Sequence, residues 1–404
     1  MRSGFSPRGL TTALLLGVLA AGPALGAEPT VAKIGVLTDM SGPYGDAAGK
    51  GSVVAAQLAI EDFGGSVLGH PIELVSADHQ NDAAVASTIA RQWYDLEGVT
   101  LITDLTNSAV AIAVQNIAKE KKRIDLITSS ATTAVTNADC SPYGAHWTFD
   151  SYALSAGTAG ALVEQGGKTW FFITADYTFG QNLEATATKR IVNSGGTVIG
   201  RTLAPLNTTE FSSQLLEAQA SGADVIGLAN SGTDTANSVK QAREFGIEQQ
   251  LAAFLPFITD IRSIGLEDAQ GLVLTTAFYW DRTEESRAFS KRFEERQGAV
   301  PTMIQAGTYS AVLHYLRAVE AAGTLDADAV AAKLHELPVN DAVFQNATVR
   351  EDGTLLHDMY LVKVKTPAES KSAWDLYTIL ATIPADKAWQ PLSESKCPLV
   401  KVTN

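Results

Sequence analysis

A chain of 404 residues, 46% hydrophobic and 18% charged, has the length of about two globular domains and enough apolar content to bury their cores. Acidic residues outnumber basic ones 44 to 30, and the formal charge of −14 argues against a nucleic-acid surface or a polybasic lipid anchor. Two cysteines are too few for an iron–sulfur or four-cysteine zinc site.

Arg2 and Arg8 precede an apolar run from Leu10 to Ala21, which is followed by Pro23 and small residues up to Gly26 and Ala27. That order reads as a secretory signal peptide over residues 1–26, its apolar run being too short to span a bilayer. Export implies an oxidising compartment, in which Cys140 and Cys397 are expected to pair; two separate free thiols are the alternative.

From there β-branched runs alternate with longer helical patterns. Strands are expected at 31–37, 71–75, 100–103 and 124–127, with helices over 51–61, 82–94 and 107–119 between them. After about Asp150 the rhythm restarts: strands at 169–173, 196–199, 224–228, 251–257 and 272–278, helices at 180–192, 211–220 and 235–245. Helices at 286–297 and 306–322 follow, then an antiparallel strand pair at 359–365 and 374–380. The expected fold class is α/β, with two doubly wound parallel-sheet lobes.

Catalytic signatures are missing. The sequence holds no G-x-G-x-x-G after its first strand, no phosphate loop, no G-x-S-x-G and no H-E-x-x-H. The six histidines, at 70, 79, 146, 314, 335 and 357, never fall four apart, so neither a metal nor a cofactor is expected. The turns at the carboxyl ends of the strands are instead rich in hydroxyls, amides and aromatics. They are 41–44, 104–109, 128–132, 175–180, 230–233 and 278–280, and such turns suit equilibrium binding of a small anion by uncharged donors.

Ile34-Gly-Val-Leu-Thr-Asp-Met-Ser-Gly-Pro-Tyr-Gly45, Asn107-Ser-Ala-Val-Ala-Ile-Ala-Val114, Thr174-Ala-Asp-Tyr-Thr-Phe-Gly180, Phe211-Ser-Ser-Gln-Leu215 and Gln241-Ala-Arg-Glu-Phe-Gly246 carry a resemblance. Over about 31–390 the chain resembles the periplasmic substrate-binding proteins of the branched-chain amino-acid ABC transporters, the leucine/isoleucine/valine-binding type. The resemblance implies two lobes joined by three hinge crossings, near 146–150, 276–279 and 344–358. One lobe would comprise 27–147 plus 278–345 and the other 148–277 plus 346–404. It implies a periplasmic protein, not an enzyme, expected to be monomeric, that delivers solute to an inner-membrane ABC permease and its ATPase. A ligand sensor for an amide or amino acid, coupled to a signalling partner, is the alternative.

By the same resemblance, Thr106, Asn107, Ser108, Ser129, Ser130 and Thr132 hold a ligand carboxylate, and a tyrosine like Tyr177 recurs. The family's ammonium-binding glutamate has no counterpart in Ala252–Phe257, and Asn230 and Ser231 stand where an aromatic is expected. A desolvated ammonium without a counter-charge costs several kcal/mol, on the order of the penalty for any unpaired buried ion. The expected ligand is therefore a small carboxylate lacking an α-ammonium, an aromatic acid first, packed on Tyr44, Phe254, Phe257, Tyr279 or Trp280. An amino acid remains the alternative if Asp39, Asp104 or Asp176 turns into the cleft.

Overall fold

In the computed structural model, which describes residues 30–401 together with Met1, Ser3 and Gly4, the β/α alternation builds two separate parallel sheets. The expected signal segment lies almost wholly outside the described residues. The first lobe runs β1 (Lys33–Thr38), α1 (Gly49–Phe63), a small hairpin of β2 (Ser66–Val67) and β3 (His70–Pro71), β4 (Glu73–Asp78), α2 (Ala83–Asp95), β5 (Leu101–Asp104), α3 (Ser108–Lys121), β6 (Ile124–Ile127) and β7 (Gly144–His146). Its strand order is β4-β1-β5-β6-β7. Strands β5 and β6 are buried along their whole length, because helices cover both faces of a parallel sheet.

The second lobe runs α4 (Ser151–Glu164), β8 (Thr169–Ala175), α5 (Thr178–Asn193), β9 (Thr197–Ala204), α6 (Ser212–Ala220), β10 (Val225–Ser231), α7 (Thr233–Glu244), β11 (Gln250–Leu255), α8 (Ile258–Ile264), α9 (Leu266–Ala269) and β12 (Val273–Thr276). Its parallel sheet has the order β11-β10-β8-β9. The chain then returns to the first lobe through α10 (Glu284–Gln297), α11 (Met303–Ala322) and α12 (Ala327–Glu336), with α11 packed along α1. A two-stranded piece, β13 (Thr348–Val349) and β14 (Leu355–Leu356), leads to β15 (Met359–Val364) and β16 (Tyr377–Ile383), and a last turn, α13 (Ala385–Ala388), follows. The expected antiparallel pair is present, joined by β12 in the order β12-β15-β16.

Helix α4 has no counterpart among the expected elements. It carries no polar stripe because it is packed on nearly every side, with ten buried residues including Leu154, Leu162 and Val163. A Cβ at Gly157 would stand 2.5 Å from both Thr275 Oγ1 and Ile383 Cδ1, so glycine is what lets α4 lie directly on β12 and β16.

The chain order reverses between β1 and β5 in one sheet and between β10 and β8 in the other. These are the topological switch points, where neighbouring loops diverge and leave a crevice at the carboxyl ends of the strands.

Three crossings join the lobes. The first is fastened by Trp147 N–H donating to Ile127 O at 2.8 Å and Ser151 N–H to Ala131 O at 2.7 Å. The third stretch is pinned to the first lobe, with His146 N–H donating to Gly353 O at 2.8 Å and the Phe344 and His357 rings stacked at 4.1 Å. The tail also comes back. Asn137 Nδ2 donates to Gln390 Oε1 at 3.1 Å, Lys396 N–H donates to Asn137 Oδ1 at 3.0 Å, and Cys397 is disulfide-bonded to Cys140 as expected. Of the stretch 346–404, β15 and β16 pair with β12, whereas residues 353 and 390–397 are tied to the first lobe.

Two outcomes follow. The disulfide closes a separation of 257 residues, so reducing it or replacing Cys397 with serine should cost about 2–4 kcal/mol, read as a lower urea midpoint. An unchanged midpoint would deny it a stabilising role. Asp150 caps α4, accepting from Ala153 N–H at 2.7 Å, and burial pushes its carboxyl up to about 6. A carboxyl raised in the folded state favours its protonated form, so its contribution is largest below the unfolded value and is lost as pH rises from about 4 to 6. Asparagine caps equally well and stays neutral. Asp150→Asn should therefore gain on the order of 1–3 kcal/mol over the native protein at pH 7.5 and lose that advantage at pH 4 in urea melts.

Candidate ligand-binding site

The four loops at the switch points converge between the lobes. After β1, the Asp39 carboxylate accepts from Gly42 N–H at 2.8 Å and Tyr44 N–H at 3.1 Å, folding the Ser41–Tyr44 turn and aiming the Tyr44 ring into the cleft. After β5, the backbone takes the left-handed region at Asp104 (φ 79°), Leu105 (63°) and Asn107 (79°), none of them glycine. Such conformations are held only when their surroundings over-determine them. Here the holding group is Asp104 itself. Its Oδ1 accepts from Thr106 Oγ1 at 2.7 Å and Ser129 Oγ at 2.5 Å, and its carbonyl accepts from Thr128 and Ser129 N–H at 3.1 and 3.2 Å. Burial raises the Asp104 carboxyl above the usual carboxylate range, against the lowering pull of these hydroxyls.

Helix α3 opens at Ser108 on this loop. Asn107 caps it, accepting from Ala109 N–H at 2.8 Å, and its amide donates to Asn81 at 2.8 Å. The Ser108 hydroxyl is buried and has no hydrogen-bond partner among the described residues. The loop after β6 is steadied from the hinge, where the His146 ring lies 2.7 Å from Ser130 O and donates to it from Nε2. Burial pushes His146 down to about 4, so the ring is neutral at ordinary pH.

These loops converge on a narrow cavity of about 20 Å³. The first-lobe wall is Thr106, Asn107, Ser108, Ser129, Ser130 and Ala131, with Tyr44 alongside. The second-lobe wall is Tyr177, Phe179, Ser231, Leu255 and Phe257, and Ile304 closes one side from the return segment. Among the described residues, no charged side chain lines it. Across the cleft the Tyr44 and Tyr177 hydroxyls meet in a hydrogen bond, and burial raises both phenols so that they stay protonated. The lobes also approach at Gly232, whose φ is 61° and where a Cβ would stand 2.9 Å from Pro43 O and 3.4 Å from the Tyr44 ring.

Nine of the thirteen expected ligand residues thus share one cavity, and four do not. Phe254 is fully buried between Trp170 and Phe172, at centroid distances of 6.2 and 6.0 Å, and is core. Asn230 is spent on Ser238 and Thr235, and Thr132 caps the following turn at Ala134 N–H. Tyr279 faces a neighbouring compartment, as does Trp280. Phe179, Leu255 and Ile304 were not anticipated. The first two lie inside stretches the sequence singles out, whereas nothing in the sequence marks Ile304. It is delivered by Thr302, which caps α11 and donates to Ala47 O at 2.6 Å. None of the acids that might meet an ammonium lines the cavity. Asp39 and Asp104 are occupied as described, and Asp176 takes a 3.3 Å bond from Gln181 outside it.

Two hinged lobes around a neutral cleft, with helix N-termini on its walls, define a solute-binding protein. Residues 31–372 match the family model described as "Periplasmic binding protein", and the chain belongs to that family. It is a periplasmic substrate-binding protein of the ABC-transporter type, not an enzyme. It is 26% identical over 305 residues to Leu/Ile/Val-binding protein homolog 6 of Brucella melitensis, covering 72% of this chain and 77% of that one. A periplasmic binding protein from Burkholderia mallei, known from a crystal structure, is 46% identical with a TM-score of 0.90 and covers 93% of this chain and 100% of its own. A branched chain amino acid ABC transporter periplasmic ligand-binding protein from Burkholderia xenovorans is 42% identical with a TM-score of 0.84, covering 91% and 99%.

The Tyr44–Tyr177 contact joins the two lobes directly. A neutral hydrogen bond is worth about 1 kcal/mol net, so Tyr177→Phe should shift the closed–open ratio about fivefold toward open. Small-angle scattering of the ligand-free protein should then give a larger radius of gyration than for the native chain; equal radii would deny the contact a role in closure.

Proposed function

We propose that the protein captures a small carboxylate without an α-ammonium group, an aromatic acid foremost, and delivers it to an inner-membrane permease driven by its ATPase. In this reading residues 1–26 are a cleaved signal, the protein acts as a monomer, and the lobes close on the ligand by hinge motion. The observation that carries the reading is a cleft lined by no charged side chain, with the buried, unpartnered hydroxyl of Ser108 at the start of α3. A carboxylate placed there gains the hydroxyl, the first free N–H groups of a 14-residue helix and the favourable end of its dipole. The rest of the lining, Tyr44, Tyr177, Phe179, Phe257 and Ile304, suits a flat apolar body and offers an ammonium no counter-charge.

The name of the Burkholderia xenovorans relative favours a second reading, a branched-chain amino acid. Its ammonium would have to be met by tyrosine hydroxyls and backbone carbonyls alone.

Calorimetry on ligand-stripped protein separates the two. Benzoate is expected to bind more tightly than leucine, and the reverse order would sink the first reading. Hydrogen bonds to a charged group contribute about 1.5–3 kcal/mol, so Ser108→Ala should weaken benzoate binding roughly 10- to 100-fold. Because that hydroxyl has no protein partner, the thermal midpoint of the ligand-free variant should stay where it is.

A further inference from the structure

The two lobes meet more closely than a solute between them allows. Tyr44 and Tyr177 join their hydroxyls across the cleft, and Gly232 approaches Pro43. A further bond pair also crosses. The Asn182 side chain on α5 accepts from Thr133 N–H and donates to Thr133 Oγ1, both at 3.4 Å. The tyrosines are set from behind: Phe179 packs on the Tyr177 ring at a centroid distance of 5.7 Å, and the turn that Asp39 folds aims Tyr44. Between these contacts about 20 Å³ remains, room for about one water. Pockets that hold a small molecule run to about 300 Å³ and more.

The facing walls are also satisfied without a solute. The Thr106 and Ser129 hydroxyls donate to Asp104, and that of Ser231 donates to Leu255 O at 2.7 Å. The Asn107 amide is bound to Asn81, and the two tyrosines are bound to each other. Of the hydroxyls lining the cavity, only that of Ser108 lacks a partner among the described residues. A closed form whose polar groups are already paired needs no solute to complete its hydrogen bonds.

We infer that this is a self-latched closed state, in which the Tyr44 and Tyr177 side chains fill the space that the body of a solute takes, so that latch and solute compete for the cleft. The inference requires only that the solute binds in this cleft; benzoate as its probe rests on the carboxylate reading. A ring seated beside Ser108 forces the two tyrosine hydroxyls apart, so the liganded cleft is wider here than the latched one. The apparent dissociation constant is then the intrinsic one divided by the unlatched fraction, and a stronger latch means weaker capture.

Small-angle scattering and calorimetry on the ligand-stripped, full-length protein test it. The native protein should give the scattering profile of the closed structure, and saturating benzoate should leave its radius of gyration equal or larger. Tyr177→Phe and, separately, Tyr44→Phe should each start from a larger radius and contract when benzoate is added. Each should bind benzoate up to about fivefold more tightly, the worth of one neutral hydrogen bond. A native protein that is open without ligand and contracts on binding would overturn the latch. So would weaker benzoate binding by both phenylalanine variants than by the native chain. Should benzoate bind none of the three while the native protein is closed and both variants are open, the carboxylate reading falls and the latch stands.

Discussion

One buried carboxyl orders the recognition wall of this protein. Asp104 ends β5, and both the hydroxyls and the backbone that face the cleft are tied to it: Thr106, Ser129 and the amides of Thr128 and Ser129. Three departures into the left-handed region within four residues, at Asp104, Leu105 and Asn107, would each cost on the order of 1 kcal/mol or more in an unsupported chain. The hydrogen bonds to Asp104 and the cap that Asn107 makes on α3 offset that strain. The outcome is a helix start presented to the cleft at a fixed angle. Bonds that order these groups before any solute arrives lower the ordering cost of binding.

The cleft selects as much by what it lacks as by what it offers. Acids are plentiful in the chain, and several stand close by, yet Asp39 is turned onto the Gly42 and Tyr44 amides and Asp104 onto hydroxyls. Each is used as a backbone organiser, and the surface left for a solute is hydroxyl, amide and aromatic. In a closed, water-poor space an unmatched charge costs far more than in solvent, which is the physical basis of the carboxylate reading proposed above. With an overall charge of −14, the proposed anionic solute would have to be attracted locally, by helix N-termini and hydroxyls over a few ångströms.

Where the hydrophobic pattern is one-sided, the sequence is readable. The strand at 124–127 falls where expected, and α2, α3 and the strand pair at the end of the chain fall within a few residues of it. The polar turns of the candidate site are visible in the sequence because Ser, Thr and Asn cluster just where strands end and helices begin, and Thr132 and Asn230 show the ambiguity of that signal: a cap and a ligand group are the same residue types in the same place. Phe254 failed for a different reason. Phe254 adjoins Leu255 on β11, so with Leu255 facing the cavity Phe254 points to the opposite face, onto Trp170 and Phe172, and the register that decides this is not visible in the chain. Helix α4 was invisible because burial all round erases the polar stripe by which helices are recognised, and Ile304 because its place depends on α11 docking against the loop after β1, a contact between residues more than 250 apart.

That long-range docking also governs how the lobes can move. The crossings are bound to one another, since the His357 ring, stacked on Phe344, lies 3.1 Å from Thr148 O. Beyond them the tail leaves β16 in the second lobe and is held to the first by Cys140–Cys397 and by the bonds of Asn137 to Gln390 and Lys396. A segment fixed at both ends, about a dozen residues long between Ile383 and Cys397, acts as a fourth strap beside the three crossings. Straps on one side of a cleft resist separation and twist but leave rotation about their own line free. Under the hinge motion proposed above, the cleft opens where Gly232 and Tyr177 meet Tyr44.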